Sequence, residues 1–187
     1  MRVISGKRRG TKLYAPKDDL VRPTTDRVKE AIFASLQNIV PGSKVLDLFC
    51  GSGALGIEAW SRGAERVVLS DKSVSSINLA KKNLALVGNP PEIKIVKNNY
   101  TDCIKRFKNS AEFDIVFLDP PYKAGLYNNI LEEIIQNNIL AEEAVIIAES
   151  DTSADFENDS LYLWKQKKYG STIVSFFKQV ADTENNE

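Results

Sequence analysis

Val45-Leu46-Asp47-Leu48-Phe49-Cys50-Gly51-Ser52-Gly53-Ala54-Leu55-Gly56 is the stretch that decides how this chain folds. An apolar run broken by one acid reads as a buried strand, Lys44–Phe49. Three glycines at G-x-G-x-x-G spacing follow it directly, and a helix is expected from about Ala54 to Arg62. Glycine at such a turn allows positive φ and close backbone approach. The same strand–helix alternation continues downstream. Arg66–Ser70, Glu92–Lys97, Phe113–Leu118 and Ala144–Glu149 read as strands. Helices are expected over Ser73–Leu86, through Cys103, Ile104 and Phe107, and over Tyr127–Asn137. Leu161–Lys168 and Thr172–Lys178 flank Tyr169-Gly170-Ser171, a turn signal, and read as an antiparallel hairpin.

Upstream, Val28, Ile32, Leu36 and Ile39 recur at helical spacing over Arg27–Ile39, with Thr24 or Thr25 as N-cap and Pro41-Gly42 as the stop. Met1–Tyr14 suggests a short hairpin with turn points at Gly6 and Gly10. The expected fold is therefore α/β: a Rossmann-like, doubly wound, seven-stranded and mostly parallel sheet ending in an antiparallel hairpin. A small basic hairpin and helix extension precedes it. All 187 residues make one domain, with an extension over 1–40, a core over 41–180 and a frayed polar tail over 181–187.

Asp71 ends the second strand twenty residues after Gly51, so the glycine turn alone would match a dinucleotide site with Asp71 on ribose hydroxyls. Asp47 conflicts with that reading. Its carboxylate stands where a pyrophosphate would lie and would repel it. S-adenosylmethionine has no phosphate but carries an ammonium and a sulfonium, so a carboxylate there favours it. The turn resembles the motif-I loop of class I methyltransferases. Phe49, Gly51, Ser52 and Gly53, with Asp71 and Lys72 after the second strand, are the candidates for holding this cofactor. At the end of the third strand, Asn99 and Tyr100 are candidates for meeting the adenine, or simply turn the chain. Cys50 reads as a small loop filler rather than a nucleophile.

Asp119-Pro120-Pro121-Tyr122 ends the fourth strand, which should lie beside the first and open into the same crevice. An exocyclic amine on a base is a poor nucleophile because its lone pair is delocalised into the ring. A site that methylates it should accept hydrogen bonds from the NH₂. Asp119 offers a carboxylate near both cofactor and amine, and Pro120 a carbonyl held rigid by Pro121. Tyr122 offers a face for an extruded base to stack on. Without the cofactor loop, the same tetrapeptide would read as a strand end broken by prolines.

The chain contains no histidine, which excludes Ser-His and Cys-His nucleophiles and any histidine-ligated metal. Cys50 and Cys103 stand in no metal-ligand spacing, and no metal is expected. With no apolar run of spanning length and no secretory-type N-terminus, the expected setting is the cytoplasm, with no membrane partner. Net charge is zero, yet residues 1–29 hold nine bases against three acids. Such a basic arm on an acidic body either docks on phosphates or is merely solvated.

Met1-Arg2-Val3-Ile4-Ser5-Gly6 with Arg8-Arg9-Gly10, Arg22-Pro23-Thr24-Thr25-Asp26-Arg27, the glycine turn and Asp119-Pro120-Pro121-Tyr122 together resemble the RsmD family over nearly the whole chain. These are bacterial 16S ribosomal RNA guanine-N2 methyltransferases. The resemblance implies methylation of a guanine 2-amino group on 16S ribosomal RNA, within an assembling or assembled small subunit and without an obligate protein partner. Arg2, Lys7, Arg8, Arg9, Arg22, Thr24 and Arg27 then become candidates for RNA contact. A DNA adenine or protein glutamine methyltransferase uses the same tetrapeptide logic. A binding module without catalysis is the reading from another class.

Overall fold

In a computed structural model that describes residues 1–16, 26–120, 126–151 and 160–180, the alternation read from the sequence is realised throughout. The elements are α1 (Asp26–Ser35), β1 (Lys44–Asp47), α2 (Ala54–Ser61), β2 (Arg66–Asp71), α3 (Val74–Leu86) and β3 (Ile93–Lys97), then α4 (Tyr100–Arg106), β4 (Phe113–Leu118), α5 (Leu126–Gln136), β5 (Leu140–Ser150), β6 (Leu161–Tyr169) and β7 (Thr172–Gln179). The strands make one sheet in the order β3-β2-β1-β4-β5-β7-β6. β1 to β5 run parallel, and β7 pairs antiparallel with both β5 and β6. The chain winds outward from β1 to β3, then returns to place β4 against the other side of β1. The crevice therefore opens at the carboxyl ends of β1 and β4.

Both faces of the sheet are covered. Residues of α1, α2 and α3 pack with Val45, Val67, Ile115 and Ile147 in one apolar layer. The opposite layer joins α4 and α5 to Leu46, Val116 and Ile146. The strands accordingly carry apolar side chains on both sides, as buried parallel strands do. Gly56 shows how closely α2 lies on the sheet: a Cβ there would sit 2.3 Å from Leu69 Cδ2 and 2.9 Å from Val67 Cγ1.

Two boundaries differ from the sequence reading by four residues, and several others by one or two. α1 stops at Ser35 rather than Ile39; Leu36 stays buried as the apolar spacing required, while Ile39 is half-buried. Residues 36–39 continue as turns, with Ile39 N donating to Leu36 O. β5 begins at Leu140, four residues before Ala144, because Phe113 already pairs with Leu140 ahead of an irregularity in the register. Lys17, Arg22, Thr24, Pro121, Tyr122 and the 181–187 tail lie outside the described residues.

The N-terminal hairpin is present in reduced form. Arg2 and Lys12 make a single antiparallel bridge, supported by Val3 N to Thr11 O and Gly10 N to Val3 O. Glu58, fully buried on α2, fixes this arm to the body. It accepts hydrogen bonds from Ile4 N at 2.7 Å, Ser5 N at 3.0 Å and Arg62 Nε at 2.7 Å. It also pairs with Lys29 Nζ at 3.4 Å, and Lys29 in turn donates to Arg2 O. Lys29 is fully buried too, and desolvation lowers its pKa against the opposing pull of Glu58. One of the nine bases counted in the arm is thus an internal partner and lends no charge to the surface.

Replacing Glu58 with Ala would strand a buried ammonium and two backbone amides. That should cost about 3–5 kcal/mol, read as a lowered midpoint in urea unfolding.

Candidate active site

Hydrogen bonds between neighbouring strand ends set the shape of the glycine turn. Cys50 N donates to Ser70 O at 2.9 Å, and Gly53 N to Cys50 O at 2.6 Å. Gly51 has φ +51° and Gly53 φ +77°, both in the left-handed region that glycine enters without strain. Asp71 clasps the turn from the next strand: one carboxylate oxygen accepts from Gly51 N at 3.0 Å, the other from Ser73 N at 2.8 Å. Buried Asn83 on α3 closes it from below. Its amide donates to Ser52 O at 2.9 Å and to Tyr14 O at 3.0 Å, while its oxygen accepts from Tyr14 N at 2.7 Å. A polar residue at an ordinary helical position carried no signal of this in the sequence.

Asp47 is only 3% exposed, and its Oδ2 accepts from Gly56 N at 3.3 Å. Desolvation is the main force raising its pKa to about 8, with the Gly56 bond opposing and the charges of Asp119 and Asp71 adding to the rise. Burial likewise raises Asp119 to about 7. Three acids thus converge where β1, β2 and β4 end, and at neutral pH two of them keep much of their proton. A cation entering the crevice would favour their ionised forms, whereas an anion would meet opposition. Cys50 is buried and its thiol is pushed well up by desolvation, consistent with a filler rather than a nucleophile.

The other expected residues are distributed as follows. Phe49 and Tyr100 are half-buried, with ring centroids 5.9 Å apart across the ends of β1 and β3. Asn99 is exposed and caps α4: its oxygen accepts from Asp102 N at 2.8 Å and its amide donates to Asp102 Oδ2 at 2.8 Å. Its side chain is therefore occupied within its own helix. Lys72 is exposed beside Asp71. Asp119 is half-buried and Pro120 buried directly after β4.

The basic candidates are not gathered at the crevice. Met1 Sδ lies 3.8 Å from Ser52 Oγ, so the ends of the arm touch the glycine turn. The tip lies at the other end of α2, where Lys7 N donates to Ser61 O and Arg8 N to Ser61 Oγ. An eight-residue helix separates the two points by about 12 Å. Lys7 Nζ sits 4.0 Å over the Trp60 ring, and a Cβ on Gly88 would meet Arg8 Nη2 at 3.0 Å. Arg9 and Arg27 are exposed, as is Arg2, which pairs with Asp26 at 3.4 Å. Among the described residues no His, Cys, Asp or Glu cluster suits a metal ion, and no helix is long and apolar enough to cross a membrane.

This strand order, with an acid-flanked glycine turn at the β1–β4 switch and Asp-Pro after β4, defines a Rossmann-like fold of the class I methyltransferase type. The chain belongs to the family described as Conserved hypothetical protein 95, whose model matches residues 1–178. It is 37% identical over 192 residues to the ribosomal RNA small subunit methyltransferase D of Escherichia coli, covering 100% of this chain and 93% of that protein. The protein of that name from Haemophilus influenzae is 37% identical over 178 residues, covering 94% of this chain and 91% of its own. A solved structure of the yhhF protein of Escherichia coli superposes with a TM-score of 0.85 at 32% identity, covering 97% of this chain and 98% of that one. The resemblance to the RsmD family read from the motifs is thereby borne out.

A carboxyl whose pKa rises from 3.8 to about 8 on folding keeps its proton where the unfolded chain has lost it. Its contribution to stability is complete at low pH and drains away as pH climbs toward 8. The urea midpoint should therefore fall less steeply between pH 5 and pH 8 in Asp47→Asn than in the parent protein.

Proposed function

We propose that this chain is an S-adenosylmethionine-dependent methyltransferase acting on the exocyclic 2-amino group of a guanine in 16S ribosomal RNA. The carrying observation is the meeting of Asp119-Pro120 with an acid-floored glycine turn at one crevice. The names of the full-length relatives supply the ribosomal RNA. An assembling or assembled small subunit is the substrate form we favour, which sets the enzyme in the cytoplasm.

The residues present fit the cofactor. A Cβ on Gly51 would find nothing nearer than Phe49 O at 4.0 Å, so the turn's backbone borders open space. Asp71 is bonded to two amides, yet each carboxylate oxygen retains a lone pair for a ribose hydroxyl. Asp47, turned toward Gly56, acts through its negative field, and Phe49, Ser52, Gly53 and Lys72, next to these residues in the sequence, complete the cofactor set we assign. With the Asn99 carboxamide used as a cap, an adenine contact there falls to backbone at the start of α4 and to Tyr100. The cofactor, when bound, supplies an electrophilic methyl group.

On the acceptor side, Asp119 and the Pro120 carbonyl accept the two hydrogens of the guanine NH₂. That orients the nitrogen lone pair along the line of attack and stabilises charge growing on it. Asp119 accepts more strongly and stabilises growing positive charge only when ionised, so its raised pKa makes transfer at low substrate increase with pH through about 7. Pro121 and Tyr122, outside the described residues, are the sequence's candidates for stiffening that carbonyl and for stacking on the base.

Purified protein with labelled S-adenosylmethionine and undermodified small subunits should label a single guanine. Label on adenine, on protein, or nowhere overturns the assignment. Asp119→Ala should lower transfer by roughly 10³-fold while S-adenosylhomocysteine still binds. A binding module without catalysis would show no such loss, and a dinucleotide enzyme would bind NAD instead. Replacing Arg8 and Arg9 with Ala should raise the subunit concentration needed and flatten the salt dependence of binding, by roughly 0.7 in slope per lost contact.

A further inference from the structure

Residues 161–180 contain four lysines and no acid, although the chain beyond residue 29 carries six more acids than bases. This basic stretch is the β6–β7 hairpin, with β6 as one edge of the sheet. Two of the lysines are engaged. Lys165 Nζ donates to Ser35 Oγ at 2.6 Å on α1, and Lys178 Nζ lies 4.8 Å over the Trp164 ring and 3.9 Å from Glu143. Lys167 and Lys168 are exposed, and no carboxylate among the described residues pairs with either.

The register decides where they lie. Leu118 pairs with Ala148, so Glu149 and Ser150 stand level with Asp119 and Pro120. Glu149 pairs with Val174, and Val174 with Lys167; Ser150 pairs with Ile173, and Ile173 with Lys168. Because β6 is antiparallel to β7, which is itself antiparallel to β5, β6 runs in the same direction as β5 and its last residues reach the crevice end. Three strand steps separate β4 from β6, roughly 14 Å. Val174 packs in the α1 layer, so Lys167 leans to that face of the sheet and Lys168 to the other. The two ammonium groups straddle an edge whose backbone amides also face outward.

We propose that the crevice end of the β6–β7 hairpin is a second RNA contact. There Lys167 and Lys168 hold backbone phosphates of the strand whose guanine enters the site at Asp119. The proposal rests on the RNA methyltransferase reading above. A polyanion suits this edge better than a second copy of the chain, because edge lysines repel the same edge of another molecule. Phosphates flanking a base at Asp119 fall within reach of these lysines, whereas the arm's tip, at Ser61, stands at the other end of α2.

The bland role for lysines on an edge strand is to prevent self-pairing, and the choice of substitution separates the two. Lys167→Glu with Lys168→Glu keeps the edge charged but reverses its effect on phosphate. In that double variant, binding to undermodified small subunits should weaken roughly tenfold at moderate salt, with a shallower salt slope. The turnover at saturating subunit, the affinity for S-adenosylhomocysteine and the melting temperature should stay at parental values. Parental subunit affinity and salt slope in the double variant would overturn the proposal. So would Lys167→Ala with Lys168→Ala giving self-association in size-exclusion chromatography at unchanged RNA affinity. Failure of the functional reading would show separately, as parental protein that methylates no RNA.

Discussion

Glu58 is a carboxylate with no exposure to water, and the arrangement of everything around the cofactor turn depends on it. An ionised group so placed is tolerable only when hydrogen bonds and an opposite charge surround it. Here Ile4, Ser5, Arg62 and Lys29 do so together. Those partners come from three parts of the chain: the N-terminal arm, α1 and the far end of α2. Since α2 begins directly after Gly53, the carboxylate that holds the arm also fixes the helix that closes the glycine turn. Asn83 repeats the device one helix away, bonding Tyr14 with one hand and Ser52 with the other. The extension is thereby part of the catalytic body, although its basic side chains project outward.

The three crevice acids differ in what solvates them, and that difference gives the site its preference. Asp71 is solvated by two backbone amides and can serve as a fixed acceptor. Asp47 has one such bond in a buried setting, and Asp119 is raised by burial itself. Together they make a region that gains free energy when positive charge enters and loses it when a phosphate does. The glycine spacing is shared with dinucleotide sites, so the discrimination rests on the acids around it.

Strand and helix positions were legible because apolar period and glycine punctuation are local properties, and they missed by more than two residues only where tertiary pairing lengthened β5 or a turn ended α1 early. Asp47, Asp71 and Asp119 were legible because each ends a strand, and strand ends meet in this topology. Glu58, Lys29 and Asn83 were not. Each looks like an ordinary charged or polar residue on a helix, and each acquires its role from partners 27 to 69 residues away. Asn99 shows the converse: its position suggested a ligand contact, while the nearest unsatisfied amide, that of Asp102, claimed its side chain.

Topology also governs where a large anionic substrate can be held. Helices that follow parallel strands run away from the crevice, so anything anchored to the last turn of α2, as Arg8 is, must act at a distance from the chemistry. A strand that runs with β1 has the opposite property, since it carries its final residues toward the mouth. β6 is an edge strand that runs parallel to β5, so its closing lysines share a level with Asp119. A substrate touching both regions would lie across the domain, with its reactive base between the hairpin and the arm's tip. Charge counted along the sequence points to the first thirty residues; charge placed by the sheet adds the hairpin at the opposite edge.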